Sequence, residues 1–392
     1  MNAQPPRPNR PVYLDNQATT RCDPRVVEAM LPWFSEHYGN PHSAEHVMGR
    51  TAEAAVETAR AHVAALLLAD VREIAFTSGA TESNNIAIKG AARFARSMGG
   101  DRRRIVTVAT EHKCVLESVR DLREDGFEPV FLPVGSDGLL DPEVLRQALT
   151  TPTLLVSVMA VNNEIGVIQD TPALAAIAKD AGALFHTDIA QAAGKIPLDL
   201  SGWRVDLASV SGHKLYGPKG IGALFVRRRP RVRIAPLFSG GGQERGWRSG
   251  TLATPLIVGF GEACRLAGLE MAADTARMAE LRTRLLRRLE AEIPGILING
   301  SMRSRIQGNL NLTFPGAKAA DLMARAPGLC VSTGSACSSA EGEPSYVLRA
   351  LGLTDDAAAR TLRIGIGRFT SAADIDYAAA ALAAAHAGMP AP

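Results

Sequence analysis

The sequence predicts an α/β fold: a large domain built on a mostly parallel sheet flanked by helices, with a smaller α/β domain beside it. Three observations carry this. Apolar runs of strand length alternate with helical patterns between residues 105 and 226. Several of these runs end on polar residues, where the strands of an open parallel sheet collect their ligands. At 392 residues and 46% hydrophobic, the chain is long enough for two domains or for one large domain and a smaller partner.

Taken in order, the strand-length runs are Ile105 to Ala109, Leu154 to Ala160, Ala183 to Phe185, Leu207 to Val210 and Ala223 to Val226. Each is short and apolar, as a strand covered on both faces must be. Thr171 to Ala181 reads as a helix, because Pro172 stands near its start and Gly182 just past its end. From about Gly259 to Ile293 the pattern turns strongly helical, with Leu and Arg at helical spacing in Met278 to Leu289, and a helix of that length suits a domain connector. Asn309 to Phe314 alternates as a strand does, and the Ala-rich Tyr377 to Gly388 reads as a helix.

Composition narrows the function. With 43 basic against 40 acidic side chains the net charge is +3, far from the clustered basicity of a dedicated nucleic-acid binder. The run Arg227 to Arg233 is a local exception and reads as a solvated face rather than a docking site for an acidic partner. Five cysteines, odd in number and without metal-ligand spacing, argue against a disulfide framework or a metal site and fit a reducing cytoplasm. Met1 to Pro11 is Pro-rich without an apolar core, so it is expected to be a disordered arm rather than a targeting signal. No apolar run approaches the roughly 18 to 20 residues of a membrane span, and a soluble protein is expected.

Two strand ends carry the chemistry. Asp188 closes the run Ala183 to Thr187, and Lys214 follows Val205 to Val210 within Ser211-Gly212-His213-Lys214. An enzyme that holds pyridoxal phosphate needs this pair: a lysine to form the Schiff base, and an aspartate to keep the pyridinium nitrogen protonated so that the ring accepts electrons. Four further segments stand at or beside strand ends. Phe76 to Asn85 is a small-residue loop opening a helix, either a phosphate site or an ordinary helix start. Thr110-Glu111-His112 offers an imidazole for the face of a cofactor ring, although a lone histidine is more often structural. Val161 to Gly166 presents Asn162 and Asn163 to a carboxylate or a phenolic oxygen, or simply forms a turn. Ser239 to Thr251 combines glycines with Arg245 and Arg248, suited to close approach by a ligand or another subunit, or to a flexible loop.

Together and in this order, these segments resemble the class V branch of the pyridoxal phosphate aminotransferases, and within it the cysteine desulfurases of the NifS/IscS type. The resemblance runs from Tyr13-Leu14-Asp15-Asn16-Gln17 to Arg363-Ile364-Gly365-Ile366-Gly367. It implies a fold-type I architecture with a large cofactor-binding domain over 16–260 and a small domain made of 1–15 and 261–392. It implies Lys214 as the Schiff-base lysine, Asp188 as the pyridinium partner, Gln191 as donor to the phenolic oxygen and His112 as the residue stacked on the ring. Ala80, Thr81, Ser211 and His213 match the phosphate cradle, and Thr251 matches a threonine that reaches the phosphate of a neighbouring subunit, which requires a homodimer. Asn163 and Arg363 match residues near the substrate carboxylate.

Ser332 to Ser339 resembles the mobile loop that carries the desulfurase nucleophile, here Cys337. The implied reaction converts L-cysteine to L-alanine and leaves the sulfur on Cys337 as a persulfide, for delivery to a scaffold or sulfur-carrier protein in iron–sulfur cluster assembly or another thiolation. Cys22, Cys114, Cys264 and Cys330 lack such a setting and read as structural. A selenocysteine lyase or another class V enzyme would need Lys214 but not Cys337, and a non-catalytic docking platform would need neither. Gln243 stands where the family often has histidine, Gly365 where many relatives have serine, and the chain ends soon after Gly388, without the extension that docks a scaffold in some members.

Overall fold

The computed structural model describes residues 11–334 and 344–389. Its strands are β1 (Val12–Tyr13), β2 (Ile74–Thr77), β3 (Arg104–Val108), β4 (Glu128–Leu132), β5 (Thr153–Ser157), β6 (Leu184–Asp188), β7 (Leu207–Ser211), β8 (Gly222–Val226), β9 (Leu297–Ile298), β10 (Asn309–Thr313), β11 (Leu329–Cys330) and β12 (Thr361–Gly365). Seven of them form one sheet in the order β2-β8-β7-β6-β5-β3-β4. Only β8 in this sheet runs against its neighbours, β2 and β7; every other pairing is parallel.

Strands β7 and β8 are buried along their whole length, as their unbroken apolar character requires, because helices cover both faces of the sheet. Two strands of this seven-stranded sheet are not among the strands expected from the sequence. β2 is only four residues long, and β4 contains Pro129, which a sheet tolerates because β4 is an edge strand. The expected strand Leu154 to Ala160 ends at Ser157, although Val158 and Ala160 still donate backbone hydrogen bonds to His186 and Asp188. The helix Thr171–Asp180 is capped by the Asp170 side chain, which accepts from the Ala173 N–H, and carries Pro172 in its first turn as expected.

The long helix spans Thr254–Glu292, starting five residues before the expected Gly259. Gly261 lies inside it, and a Cβ there would stand 2.5 Å from the Ala59 Cα, so the missing side chain allows close packing against the helix Val47–Leu67. The first half of the long helix buries Ile257, Phe260 and Leu266 in the core of the large sheet. Its second half buries Met278, Leu281, Leu285 and Leu289 in a separate core with Leu310, Leu312, Phe314, Leu362 and Ile364. That second core backs the antiparallel sheet β12-β10-β9. The polar members of β10 are buried as well: Asn309 and Asn311 donate to the Glu164 carbonyl.

Arg227 departs from its expected solvated setting. Its side chain is buried and donates to the carbonyls of Val205 and Leu200, replacing water with backbone acceptors. Among the described residues no helix is long and apolar enough to cross a membrane.

Candidate active site

The carboxyl ends of the parallel strands open on one cavity of about 480 Å³, a size suited to a small cofactor and its substrate. Ala80, Thr81, His112, Asn163, Asp188, Gln191, Ser211, His213, Lys214 and Arg363 all line it. Residues separated by up to 283 positions thus meet because each terminates or closely follows an element that points to the same rim. Thr251 is exposed and does not line this cavity. Cys337 lies outside the described residues.

Lys214 sits in the short turn Gly212–Lys214 that follows β7, and its Nζ donates to the carbonyls of Gln17 and Ala18 at 2.7 and 2.6 Å. Asp188 ends β6. Its Oδ2 accepts from Asn84 Nδ2 at 2.7 Å and its Oδ1 from the Ala190 N–H at 2.8 Å, so the carboxylate is held by hydrogen bonds at both oxygens. His112 caps the helix Lys113–Asp121 through Nδ1, which accepts from the Cys114 N–H. Burial lowers the His112 pKa, opposed by Asp188 and assisted by Lys214, which favours the neutral ring.

At the far end, the helix Ala80–Ser97 begins at Gly79 with no side-chain cap, leaving its first N–H groups for a ligand anion. Ser211 and His213 stand beside it on the cavity wall. His213 is pushed down to about 4, by burial first and then by Lys214, Lys219 and Lys195; its Nδ1 lies 3.1 Å from Thr19 Oγ1.

Arg363 is 1% exposed, yet part of it reaches the cavity. Its Nη1 donates to the Asn163 carbonyl at 3.0 Å and its Nη2 to Asp15 Oδ1 at 2.7 Å. Among the described residues its Nε and the Asn163 Oδ1 are buried without a partner, which is costly unless a ligand satisfies them.

Several participants escaped the sequence reading. Asn84 stands in the small-residue segment Phe76 to Asn85, and Asp15 and Gln17 stand in the N-terminal motif, none of them marked by its local pattern. Cys114, expected to be structural, is among the residues lining the cavity, its Sγ 3.0 Å from His112 Nδ1; burial, with Asp188 adding to it, raises its pKa to about 12. Gly365 is explained by packing. A Cβ there would fall 2.0 Å from Gln17 Oε1 and 2.7 Å from the Asn16 nitrogen, so this chain has no room for serine at that position. Gln243 closes the glycine-rich loop on itself, its Oε1 accepting from the Gly250 N–H at 2.8 Å.

Residues 12–378 match the family described as aminotransferase class-V. The chain belongs to the aminotransferase class-V family. Within that family it is 52% identical over 378 residues to a protein named cysteine desulfurase IscS from Rickettsia felis, covering 96% of this chain and 92% of that one. It is 56% identical over 369 residues to a mitochondrial cysteine desulfurase from Arthroderma benhamiae, covering 94% of this chain and 73% of the relative. Among solved structures, a NifS-like protein superposes with a TM-score of 0.88 at 37% identity over 95% of this chain and 98% of its own. Another, SspA in complex with cysteine, gives 0.81 at 35% identity over 92% and 99%.

The class-V cavity suits pyridoxal phosphate on its own chemistry. An uncapped helix start beside Ser211 and His213 matches a phosphate, a carboxylate held at both oxygens matches a ring cation, and a lysine amine lies on the same wall.

Proposed function

We propose that this chain is a cysteine desulfurase that works with pyridoxal 5′-phosphate, converting L-cysteine to L-alanine and taking the sulfur onto Cys337 as a persulfide. The observation that carries the reading is that Asp188, Lys214 and Arg363 line one cavity.

Ala80, Thr81, Ser211 and His213 would hold the cofactor phosphate, Asp188 its ring nitrogen and Gln191 its phenolic oxygen, with His112 against the ring. When bound, the cofactor supplies an electron sink for charge that develops at the substrate Cα. Arg363 and Asn163 receive the substrate carboxylate, which orients the Cα–H toward Lys214. The Lys214 Nζ takes that proton and returns it later in the cycle. Cys337 Sγ forms a bond to the substrate sulfur as the C–S bond breaks, so one cysteine and one thiol become one alanine and one persulfide. The buried carboxylate of Asp188, with Asn84 behind it, stabilises positive charge where electrons must flow.

The same reading contains a homodimer, supported by Thr251: exposed and outside its own cavity, it would serve a neighbour's phosphate. It divides the chain into domains of 16–260 and of 1–15 with 261–392, supported by two hydrophobic cores that share the long helix. It sets the enzyme in the cytoplasm, supported by the free thiols of Cys22, Cys114, Cys264 and Cys330. The persulfide would pass to a sulfur-acceptor protein for iron–sulfur cluster assembly or another thiolation.

Purified protein supplied with pyridoxal phosphate, L-cysteine and a reducing thiol should release alanine and sulfide in equal amounts, from a species that light scattering reads as a dimer. Absence of alanine would refute the reaction, and full activity in a monomer would refute the shared site. Asp188→Ala should lower turnover on the order of 10² to 10³, as loss of a preorganised electrostatic contact does. Its cofactor affinity should change much less, because the phosphate contacts remain. Near-normal turnover in that variant would show that Asp188 does not act on the electron sink.

A further inference from the structure

Gln191 has an ambiguity that its neighbours resolve. A carboxamide has an oxygen end and a nitrogen end of nearly the same shape, and only its hydrogen-bond partners decide which way it points. The amide oxygen Oε1 of Gln191 accepts from Lys195 Nζ at 2.9 Å, while Nε2 donates to the Gln17 carbonyl at 2.8 Å. A lysine amine used as a donor can only satisfy the oxygen end, and a carbonyl can only satisfy the nitrogen end. The same Gln17 carbonyl accepts from Lys214 Nζ at 2.7 Å, so the two amines are tied to one relay.

We propose that Lys195 is a positioning residue that locks the Gln191 amide with its NH₂ end toward the cavity, so that the second N–H of that group is presented to an acceptor on the cofactor. The assignment rests on the reading above, in which that acceptor is a phenolic oxygen. Lys195 does not line the main cavity and acts through Gln191, one helical turn's spacing before it in sequence. Burial, helped by Lys214, lowers its pKa to about 7, and the amine keeps N–H groups to donate in either protonation state. Without Lys195 only the Gln17 carbonyl would oppose a flip that turns the amide oxygen toward the phenolic oxygen, acceptor against acceptor.

The test uses holoenzyme without substrate and reads the pH midpoint of the visible absorption band of the bound cofactor, together with cofactor affinity. A donor on the phenolic oxygen stabilises its negative charge and lowers that midpoint. Lys195→Met, which leaves Gln17 alone to orient the amide, should therefore raise the midpoint by up to about one pH unit, the scale of one hydrogen bond to a charged group. Lys195→Arg, which retains a donor, should restore most of it, and Lys195→Leu gives a second donorless variant, with the same rise expected, if the methionine protein does not fold. In a Gln191→Leu background, Lys195→Met should add no further shift. A midpoint that ignores Lys195, or an equal shift with Gln191 already removed, overturns the assignment while leaving the cofactor reading standing. A wild-type protein with no visible band at all overturns the cofactor reading and this assignment with it.

Discussion

In Lys214→Ala, alanine formation from L-cysteine should fall by about four orders of magnitude, the upper range for a positioned general base. Covalent retention of the cofactor should disappear with it. Two functions converge on one nitrogen: Nζ would tie the cofactor to the protein, and the same Nζ would carry the substrate α-proton. Its position against the carbonyls of Gln17 and Ala18 holds the amine on the cavity wall. The phosphate contacts of Ala80, Thr81, Ser211 and His213 are kept in the substitution, since it removes only the Lys214 side chain. The variant should therefore still bind pyridoxal phosphate reversibly and lose it on dialysis. Borohydride reduction followed by peptide mass analysis should label Lys214 in the wild-type protein and no lysine in the variant. Lys219, which also lines the cavity, is the natural competitor. A stable label on Lys219 or Lys195, or turnover within tenfold of wild type, would remove Lys214 from both roles.

Cys337→Ser should separate binding from sulfur transfer. L-Cysteine should still perturb the absorption of the bound cofactor, because Arg363, Asn163 and Lys214 are intact. Protein persulfide should vanish, and alanine formation should fall by at least on the order of 10³, as when a covalent nucleophile is removed. Cys114 is the informative control. Its thiol lines the cavity and lies close to His112, so distance alone would admit it as a sulfur acceptor. Its pKa of about 12 argues the opposite, since the thiolate and not the thiol is the nucleophile. Cys114→Ser should accordingly keep most of the turnover. Peptide mass spectrometry after a single turnover should find the gain of one sulfur on the peptide containing Cys337. A persulfide on Cys114 or Cys330, or full L-cysteine turnover by Cys337→Ser, would overturn the assignment.

How much of this was legible beforehand follows from how local each signal is. Asp188 and Lys214 could be found because a charged residue at the end of an apolar strand-length run is visible in a window of six to ten residues, and the covered faces of a parallel sheet make such runs unbroken. The cap at Asp170 with Pro172 behind it, and the small-residue loop before the helix Ala80–Ser97, are equally local. β4 was missed because Pro129 is excluded from a central strand but not from an edge, and edge position is a property of the sheet rather than of the segment. Arg227 was misjudged for a similar reason: six neighbouring residues suggest a solvated cluster, whereas the carbonyls that receive it come from residues 200 and 205.

The strands, the helix ends and the two chemistry-bearing strand termini follow from local patterns of polarity and backbone preference, which act over a few residues and need no knowledge of the rest of the chain. The partners do not. Asn84 behind Asp188, Asp15 on Arg363, Gln17 between Lys214 and Gln191, and the clash that excludes a side chain at Gly365 all join segments brought together by sheet order and by the close packing of the long helix. Such contacts depend on where distant elements come to rest, and hydrogen-bond geometry then selects one arrangement among many that the same residue types would permit.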